Sequence, residues 1–510
     1  MNKLSRQMLL HRRDFLKLAG GSATAGFFLS GGSFSTNVFA QQMGSQLSKF
    51  TEQVPIPPPV DATAGGSFDL AMAGSTHQFH ASLPAAPTFG YGGASYLGPT
   101  FNVRRGVPIN VVAANGLGAH PLDFAIDPTL YGASSDDAAA PRTSLHLHGG
   151  NTEPQSDGNP VDTFIRGAGK TYHYHNDQEA STLWYHDHAM GITRLNVMAG
   201  LAGFYLMRDE RDTGLADNPI GLPSGQYEIP LVIQDRMFAA DGSMAYPAGP
   251  QQIWSPEFFG DVAVVNGKAF PNLNVRRGLY RFRLLNGSNA RVYALYLSNG
   301  ATIYQIGGDG GLLNAPVPLK HITLAPGERA DVLIDFTKVG RGTRVVLKNN
   351  APAPFPNGPR SPRRGGVMIP EIMQFTVTSS GGFAGKVPSV LRSAPIQRLR
   401  PPVTVRNLSL VEIMDPVSGV PLMARLNNLM FDTENIEKPK VDTVEQWNII
   451  NTTGDMHPIH LHLVQFQVLS RQKFRVDKYT KINYSMLDMD SEGPYPVPSA
   501  DKYAMGGARP

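Results

Sequence analysis

The chain has 510 residues with 53 Gly, 41 Pro and no Cys, and a net charge of +4. That length allows about three domains, and the glycine and proline content points to a turn-rich, mostly β chain. The missing Cys excludes disulfides, thiolate zinc sites, iron–sulfur clusters, a cysteine nucleophile and a blue-copper site of the ordinary thiolate kind.

The charge is local. Lys3, Arg6, Arg12, Arg13 and Lys17 stand against Asp14 in residues 1–40, and the rest of the chain holds 40 basic and 40 acidic residues. A neutral body gives no electrostatic case for nucleic-acid binding. The run His11-Arg12-Arg13-Asp14-Phe15-Leu16-Lys17 precedes a weakly apolar, Gly-rich stretch that closes on Val38-Phe39-Ala40. This is the form of a twin-arginine signal over 1–40, and its paired glycines argue against a basic amphipathic helix. Export through the Tat machinery to the periplasm or the cell exterior is expected. No other stretch approaches the roughly 20 apolar residues of a membrane-spanning helix, so no integral membrane segment is expected in the mature chain.

Further along, Phe101-Asn-Val-Arg-Arg-Gly106 recurs as Leu273-Asn-Val-Arg-Arg-Gly278. Each copy leads into an apolar strand that closes near an asparagine, Asn115 or Asn286. A weaker third echo runs from Val441 to Asn451. Repeats this long are whole domains, and their alternating apolar residues between Gly, Pro and Asn predict antiparallel strands of a sandwich or barrel. The third repeat reaches Pro510 about 35–40 residues sooner than its counterparts, equivalent to some three to five strands. An incomplete third domain, by truncation or frameshift, is the expectation.

Seven of the 14 histidines fall in three short motifs: His146-Leu-His148, His186-Asp-His188 and His457-Pro-Ile-His460-Leu-His462. On an extended strand, residues two apart share a face, so His-x-His aims two imidazoles at one point. Three such clusters supply more ligands than one zinc takes and imply more than one metal ion. A fourth pair, His173 and His175, alternates with tyrosine and reads as the polar face of a strand. His77, His80, His120 and His321 have no close histidine pair of this kind. Gly307-Gly-Asp-Gly-Gly311 marks a loop or bulge, since it lacks the Lys-Ser/Thr of a phosphate-binding loop.

These motifs resemble the multicopper oxidases, in particular the bacterial laccase, spore-coat-laccase and bilirubin-oxidase-like branch. The resemblance is carried by His77-Gln-Phe-His80 with Tyr96-Leu-Gly-Pro-Thr100, by His146-Leu-His-Gly-Gly150, and by Trp184-Tyr-His-Asp-His-Ala-Met-Gly-Ile-Thr-Arg-Leu-Asn196. It continues through Tyr280–Asn286, Ile306–Leu312 and Asn451-Thr-Thr-Gly-Asp-Met-His-Pro-Ile-His-Leu-His462, covering about residues 49–500. The resemblance implies an all-β chain of three cupredoxin-like Greek-key sandwiches, the third incomplete. Its divisions would be the signal 1–40, a strap 41–68, domain one 69–210, domain two 226–379 and domain three 400–510.

Carried over by position, His146 and His460 would hold type 2 copper. His148, His186 and His462 would hold one type 3 copper, His188 would begin the site of the other, and His457 would serve type 1 copper. Asp157 stands where relatives place a proton-delivering acid, although Ser156-Asp157-Gly158 also reads as a plain turn. The family's His-Cys-His motif is missing, so the type 1 site lacks its Cys and the type 3 pair lacks two imidazoles. The implied activity is one-electron oxidation of phenols, aromatic amines, bile pigments or metal ions, coupled to reduction of dioxygen to water. Dioxygen and a small reductant would be the partners of a monomer whose turnover is impaired. The alternatives are a copper-free exported scaffold on the same fold and a zinc hydrolase. The hydrolase leaves the third histidine cluster unexplained.

Overall fold

The computed structural model describes residue 44 and residues 46–248, 254–361, 366–414, 421–432, 437–483 and 497–509; the expected signal, 1–40, lies outside them. The repeats mark out one recurring local structure. The strands Ile109–Gly116, Leu279–Asn286 and Glu445–Asn451 each pair in parallel with an earlier strand: Gly66–His77, Glu228–Phe238 and Thr404–Met414 respectively. Near the end of each repeat strand an asparagine side chain accepts the N–H two residues on. The pairs are Asn115 with Leu117, Asn286 with Ser288 and Asn451 with Thr453, each at 3.0 Å. Such a turn stops the ladder and redirects the chain, which explains why asparagine recurs at this point. In the first two repeats the amide also donates twice, to Pro141 and Phe164 and to Arg291 and Leu324, tying the turn to neighbouring loops.

Among the described residues the chain forms two compact units. The larger comprises Ala40–Pro401, Gly454–Arg471 and Ala508–Pro510. Its first sandwich sets a five-stranded sheet against a four-stranded one. The five-stranded sheet runs in the order Pro59–Ala62, Thr100–Arg104, Ala202–Arg208, Ser181–Asp187, Leu145–His148. The four-stranded sheet runs Ala86–Tyr91, Gly66–His77, Ile109–Gly116, Gly169–Tyr174. Their facing side chains are apolar and aromatic: Phe68 meets Phe101 edge-on at 5.8 Å, and Leu70, Val111, Leu145, Tyr174, Tyr185 and Tyr205 close around the same core. The second sandwich repeats the plan with larger sheets, and Phe282, Phe336 and Phe375 interlock across it at 5.2–5.4 Å.

A buried charge network joins the two sandwiches of this unit. Arg281 grips Asp212 and Asp331, each at 2.6 Å, while Arg283 and Arg208 share Glu228 at 2.6 and 2.8 Å. Three guanidiniums balance three carboxylates, so the group buries no net charge, the condition under which such a network is tolerated in a core. Asp212 follows the last strand of the first sandwich, whereas Glu228, Arg281, Arg283 and Asp331 lie on strands of the second.

The smaller unit, in its described parts Pro402–Thr453 and Gln472–Gly507, holds a three-stranded sheet and the helix Val476–Asn483. Tyr479 anchors that helix, buried, with its hydroxyl donating to Pro498 at 2.8 Å.

One expectation about the strands changes. His460 and His462 do not project from a strand: residues 454–470 form irregular extended chain with no ladder among the described residues. No described strand pairs along this segment, where Ile459, Leu463, Val464, Phe466 and Val468 are exposed.

Candidate metal centre

The first pair of histidines is placed by strand register. Leu145–His148 runs antiparallel to Ser181–Asp187 with His146 opposite His186 and His148 opposite Trp184. Cross-strand partners share a face, so these three imidazoles and the indole face one side of the sheet. Trp184 stacks against His186 at 4.2 Å and tilts over His148 at 5.1 Å. His188 lies just past the strand end, its ring centroid 5.0 Å from that of His146. From more than 270 residues further on, the extended segment brings His460 and His462 onto the same group, within the same compact unit. His460 stacks on His148 at 3.6 Å and His462 on His146 at 4.0 Å.

The tautomers follow from the partners. His146 donates through Nδ1 to the carbonyl of Asp157 at 2.6 Å, and His186 donates through Nδ1 to the carbonyl of Asp187 at 2.6 Å. A carbonyl only accepts, so each Nδ1 carries the proton and each Nε2 presents a lone pair. Those lone pairs point inward: His146 Nε2 lies 3.2 Å from His460 Nε2, and His186 Nε2 lies 3.3 Å from His148 Nδ1. His462 donates Nδ1 to the Asp157 carboxylate at 2.6 Å, leaving its Nε2 for the group as well. Two triads have one ligand atom per residue all within 4.8 Å: His146, His148 and His186, and His146, His460 and His462.

Burial sets the charge state. Desolvation comes first in holding His148 and His186 well below the ordinary histidine range, added to by Arg329 for His148 and by the crowded neighbouring imidazoles for both. Burial also lowers His146, against the opposing pull of Asp157, and pushes His188 down to about 4. Neutral imidazole is the form that binds metal. Asp157 is lowered as well, which for a carboxyl means that it stays ionised: burial opposes this, but hydrogen bonds from His146, His462 and Thr152 hold it far below the usual carboxylate range.

The donor set fits copper. Neutral imidazole nitrogens converge with no carboxylate in either triad, and the buried Nδ1 of His188 has no hydrogen-bond partner among the described residues. The donor set does not fit a blue-copper site, because no residue of the chain offers a thiolate. His457 lies outside both triads, with Asp455 as an electrostatic neighbour.

Two further histidines, His77 and His80, are held by ordinary hydrogen bonds. His77 bonds Ser95 and the Gly267 carbonyl, and His80 bonds Ser82 and the Ser48 carbonyl.

Three neighbours of the cluster are not visible as such in the sequence. Trp184 forms its aromatic wall. Asp187 lies wholly buried between two cluster histidines, its carboxylate accepting from Ser144 and Ala189 at 3.2 and 3.1 Å. Arg329, from the second sandwich, donates to the Thr182 carbonyl at 3.0 Å and pairs with Asp309 at 2.9 Å; its charge helps to depress His148. The Gly307–Gly311 motif was the available signal: it is a hairpin with a bulge, and it carries the Asp309 that holds Arg329.

With that geometry in hand, comparison with known proteins is specific. Multicopper oxidase family models match residues 137–212 and 403–502. A laccase of Bacillus subtilis is 38% identical over 485 residues, 89% of this chain and 90% of the relative. A multicopper oxidase of Arabidopsis thaliana is 39% identical over 427 residues, 79% of this chain and 71% of the relative. Among solved structures, a multicopper oxidase of the hyperthermophile Aquifex aeolicus matches with a TM-score of 0.67 at 27% identity, covering 83% of this chain and 86% of that one. The chain therefore belongs to the multicopper oxidase family, copper-dependent oxidoreductases built from cupredoxin-like β-domains.

Proposed function

We propose that His146, His148, His186, His188, His460 and His462 hold copper in a buried cluster of the type 2 and type 3 kind, and that the chain as it stands lacks a type 1 electron-entry site. The observation that carries this is the inward convergence of the lone pairs on His146 and His186, fixed by carbonyls behind each ring. Copper held there would supply the redox chemistry through which electrons from an external reductant reduce dioxygen to water.

The protein's own part is positional. Asp157 clamps His146 through its carbonyl and His462 through its carboxylate, so one turn orients ligands from two distant segments. Its ionised carboxylate, beside the cluster, is the group we assign to passing protons inward. Trp184 and the neighbouring core shield the His148–His186 side from water. His457 would be a lone type 1 imidazole, and without a cysteine the route for single electrons from phenols, aromatic amines, bile pigments or metal ions is cut.

Purified chain reconstituted with Cu(II) tests the reading. Bound copper with a type 2 electron paramagnetic resonance signal, no intense blue absorption and negligible catalytic phenol oxidation are expected. A copper-free product would instead favour the scaffold reading, and blue colour with steady turnover would refute the loss of electron entry.

The same reading has the chain exported through the twin-arginine pathway to the periplasm or beyond as a monomer. Replacing Arg12 and Arg13 by Lys should retain the precursor inside the cell, measured by fractionation.

A further inference from the structure

Asp187 stands between two histidines of the cluster and is turned away from them. It ends the strand Ser181–Asp187 and lies opposite Leu145, one register step beyond the facing pair His146 and His186. Side chains alternate along a strand, so its carboxylate enters the core behind the imidazoles and belongs to neither triad of converging nitrogens. There its two oxygens take two different backbone groups. Oδ1 accepts the N–H of Ser144 at 3.2 Å, and Oδ2 accepts the N–H of Ala189 at 3.1 Å. Ser144 precedes His146 by two residues, and Ala189 directly follows His188. The Ser144 carbonyl in turn accepts the N–H of His188 at 2.8 Å, so the two segments are tied in both directions. Asp187 also acts through its backbone, because its carbonyl receives Nδ1 of His186 at 2.6 Å.

We propose, on the copper-cluster reading above, that Asp187 is a positioning residue of the metal centre: it ties the segment carrying His146 to the segment carrying His186 and His188, and so sets the spacing of three imidazoles. Burying a carboxylate costs free energy that an apolar side chain would not, and the hydrogen bonds to backbone offset that cost. Ser144 and Ala189 are themselves fully buried, so an apolar residue at 187 would leave both N–H groups without their acceptor. Both oxygens are needed, since each holds a different segment. Asparagine has the same shape but offers one accepting oxygen and turns an NH2 toward the other N–H, so it keeps one tie and breaks the other.

Copper binding by the full chain carrying Asp187→Asn, measured by chelator competition, is the test. Val103→Ala is the control: it loosens the same sheet at the end where Val103, Met207 and Ser181 align, whereas His186 lies opposite Ala202. Asp187→Asn is expected to bind copper about tenfold or more weakly, and Val103→Ala to match the unaltered chain. In metal-free chain labelled with 15N-histidine, the ring resonances of His186 and His188 should shift in Asp187→Asn and hold in Val103→Ala. That readout needs no copper, and general loosening of the sandwich does not move it. Should Asp187→Asn fail to fold, hydrogen exchange on the unaltered chain decides: copper loading should slow the Ser144 and Ala189 amides more than that of Val103, because the coupling is reciprocal. An unaltered chain that takes no copper refutes the cluster reading, and the ring shifts alone then decide whether Asp187 sets the imidazoles. Unchanged ring resonances, equal copper losses in both variants, undiminished affinity in Asp187→Asn, or no selective slowing of exchange would overturn the proposal.

Discussion

The carboxylate of Asp157 and Nδ1 of His462 lie 2.6 Å apart, a contact between residues separated by 305 positions. The backbone carbonyl of the same aspartate receives Nδ1 of His146. One residue thus fixes the ring orientation of a histidine on a strand and of another on an unpaired segment. Removing the carboxylate alone should leave the His146 clamp in place. Asp157→Ala is expected to lower copper affinity about 10–100-fold, the range for lost second-layer partners of metal ligands. Chelator competition on the reconstituted chain measures it, and Asp157→Asn should fall between, since an amide oxygen still accepts from His462.

Gly158 sets the position of that aspartate. Its φ is +74°, and a Cβ there would lie 2.2 Å from the Leu145 carbonyl oxygen and 2.7 Å from His146 Cα. Those are backbone atoms of the ligand strand, which cannot swing aside. Gly158→Ala should cost at least about 1–3 kcal/mol from the left-handed conformation alone. It should also loosen copper by moving the Asp157 turn outward, so a thermal melt and a copper assay are expected to fall together.

Trp184 fills the wall beside His148 and His186, and its buried Nε1 has no hydrogen-bond partner. Truncation to Ala should destabilise the fold by about 3–5 kcal/mol through the cavity it leaves. Phe keeps most of the stacking and removes an unsatisfied donor. Trp184→Phe is therefore expected to melt much closer to the unaltered chain and to retain copper. Equal losses for both variants in denaturant titration would show that indole-specific packing, and not ring volume, supports the wall.

The Arg208–Arg281–Arg283 network predicts acid sensitivity. Burial opposes ionisation of Glu228, but the three arginines win and hold its carboxyl at about 2, below its ordinary 4.5; Asp212 is lowered further still by Arg281 and Arg283. A carboxyl lowered on folding stabilises the protein fully above its unfolded pKa, and that stabilisation is lost as pH falls through the folded value. Stability should hold down to about pH 4.5 and decline progressively toward pH 2. Glu228→Gln leaves an uncompensated buried positive charge, an expected loss of about 3–5 kcal/mol at neutral pH, with a shallower pH slope below 4.5. Melting temperature against pH for the two proteins, free of copper, checks both statements.

Much of this molecule is written in local pattern. Alternating apolar residues and the recurring asparagines gave the strands and the turns that close them, because strand periodicity and the asparagine turn depend only on neighbours in the chain. The pairs His146/His148 and His186/His188 were readable for the same reason: a spacing of two fixes a shared face. The segment carrying His460 and His462 has the same strand spacing but forms no strand among the described residues, since a strand exists only when another strand pairs with it, and pairing is not a local property. Likewise, Ser156-Asp157-Gly158 reads as a turn, and nothing in those three residues announces a partner 305 positions away.

By itself the sequence determined the donor chemistry: imidazoles in strand-spaced pairs, a neutral body, and no thiolate anywhere in 510 residues. The tertiary structure decided which of the 14 histidines meet. It brought six together, left His457 aside, and turned His173 and His175 toward solvent with Glu153. It also decided which nitrogen each ring presents. That choice rests on the carbonyls of Asp157 and Asp187 behind the rings, and only folding brings the carbonyl of Asp157 behind the ring of His146.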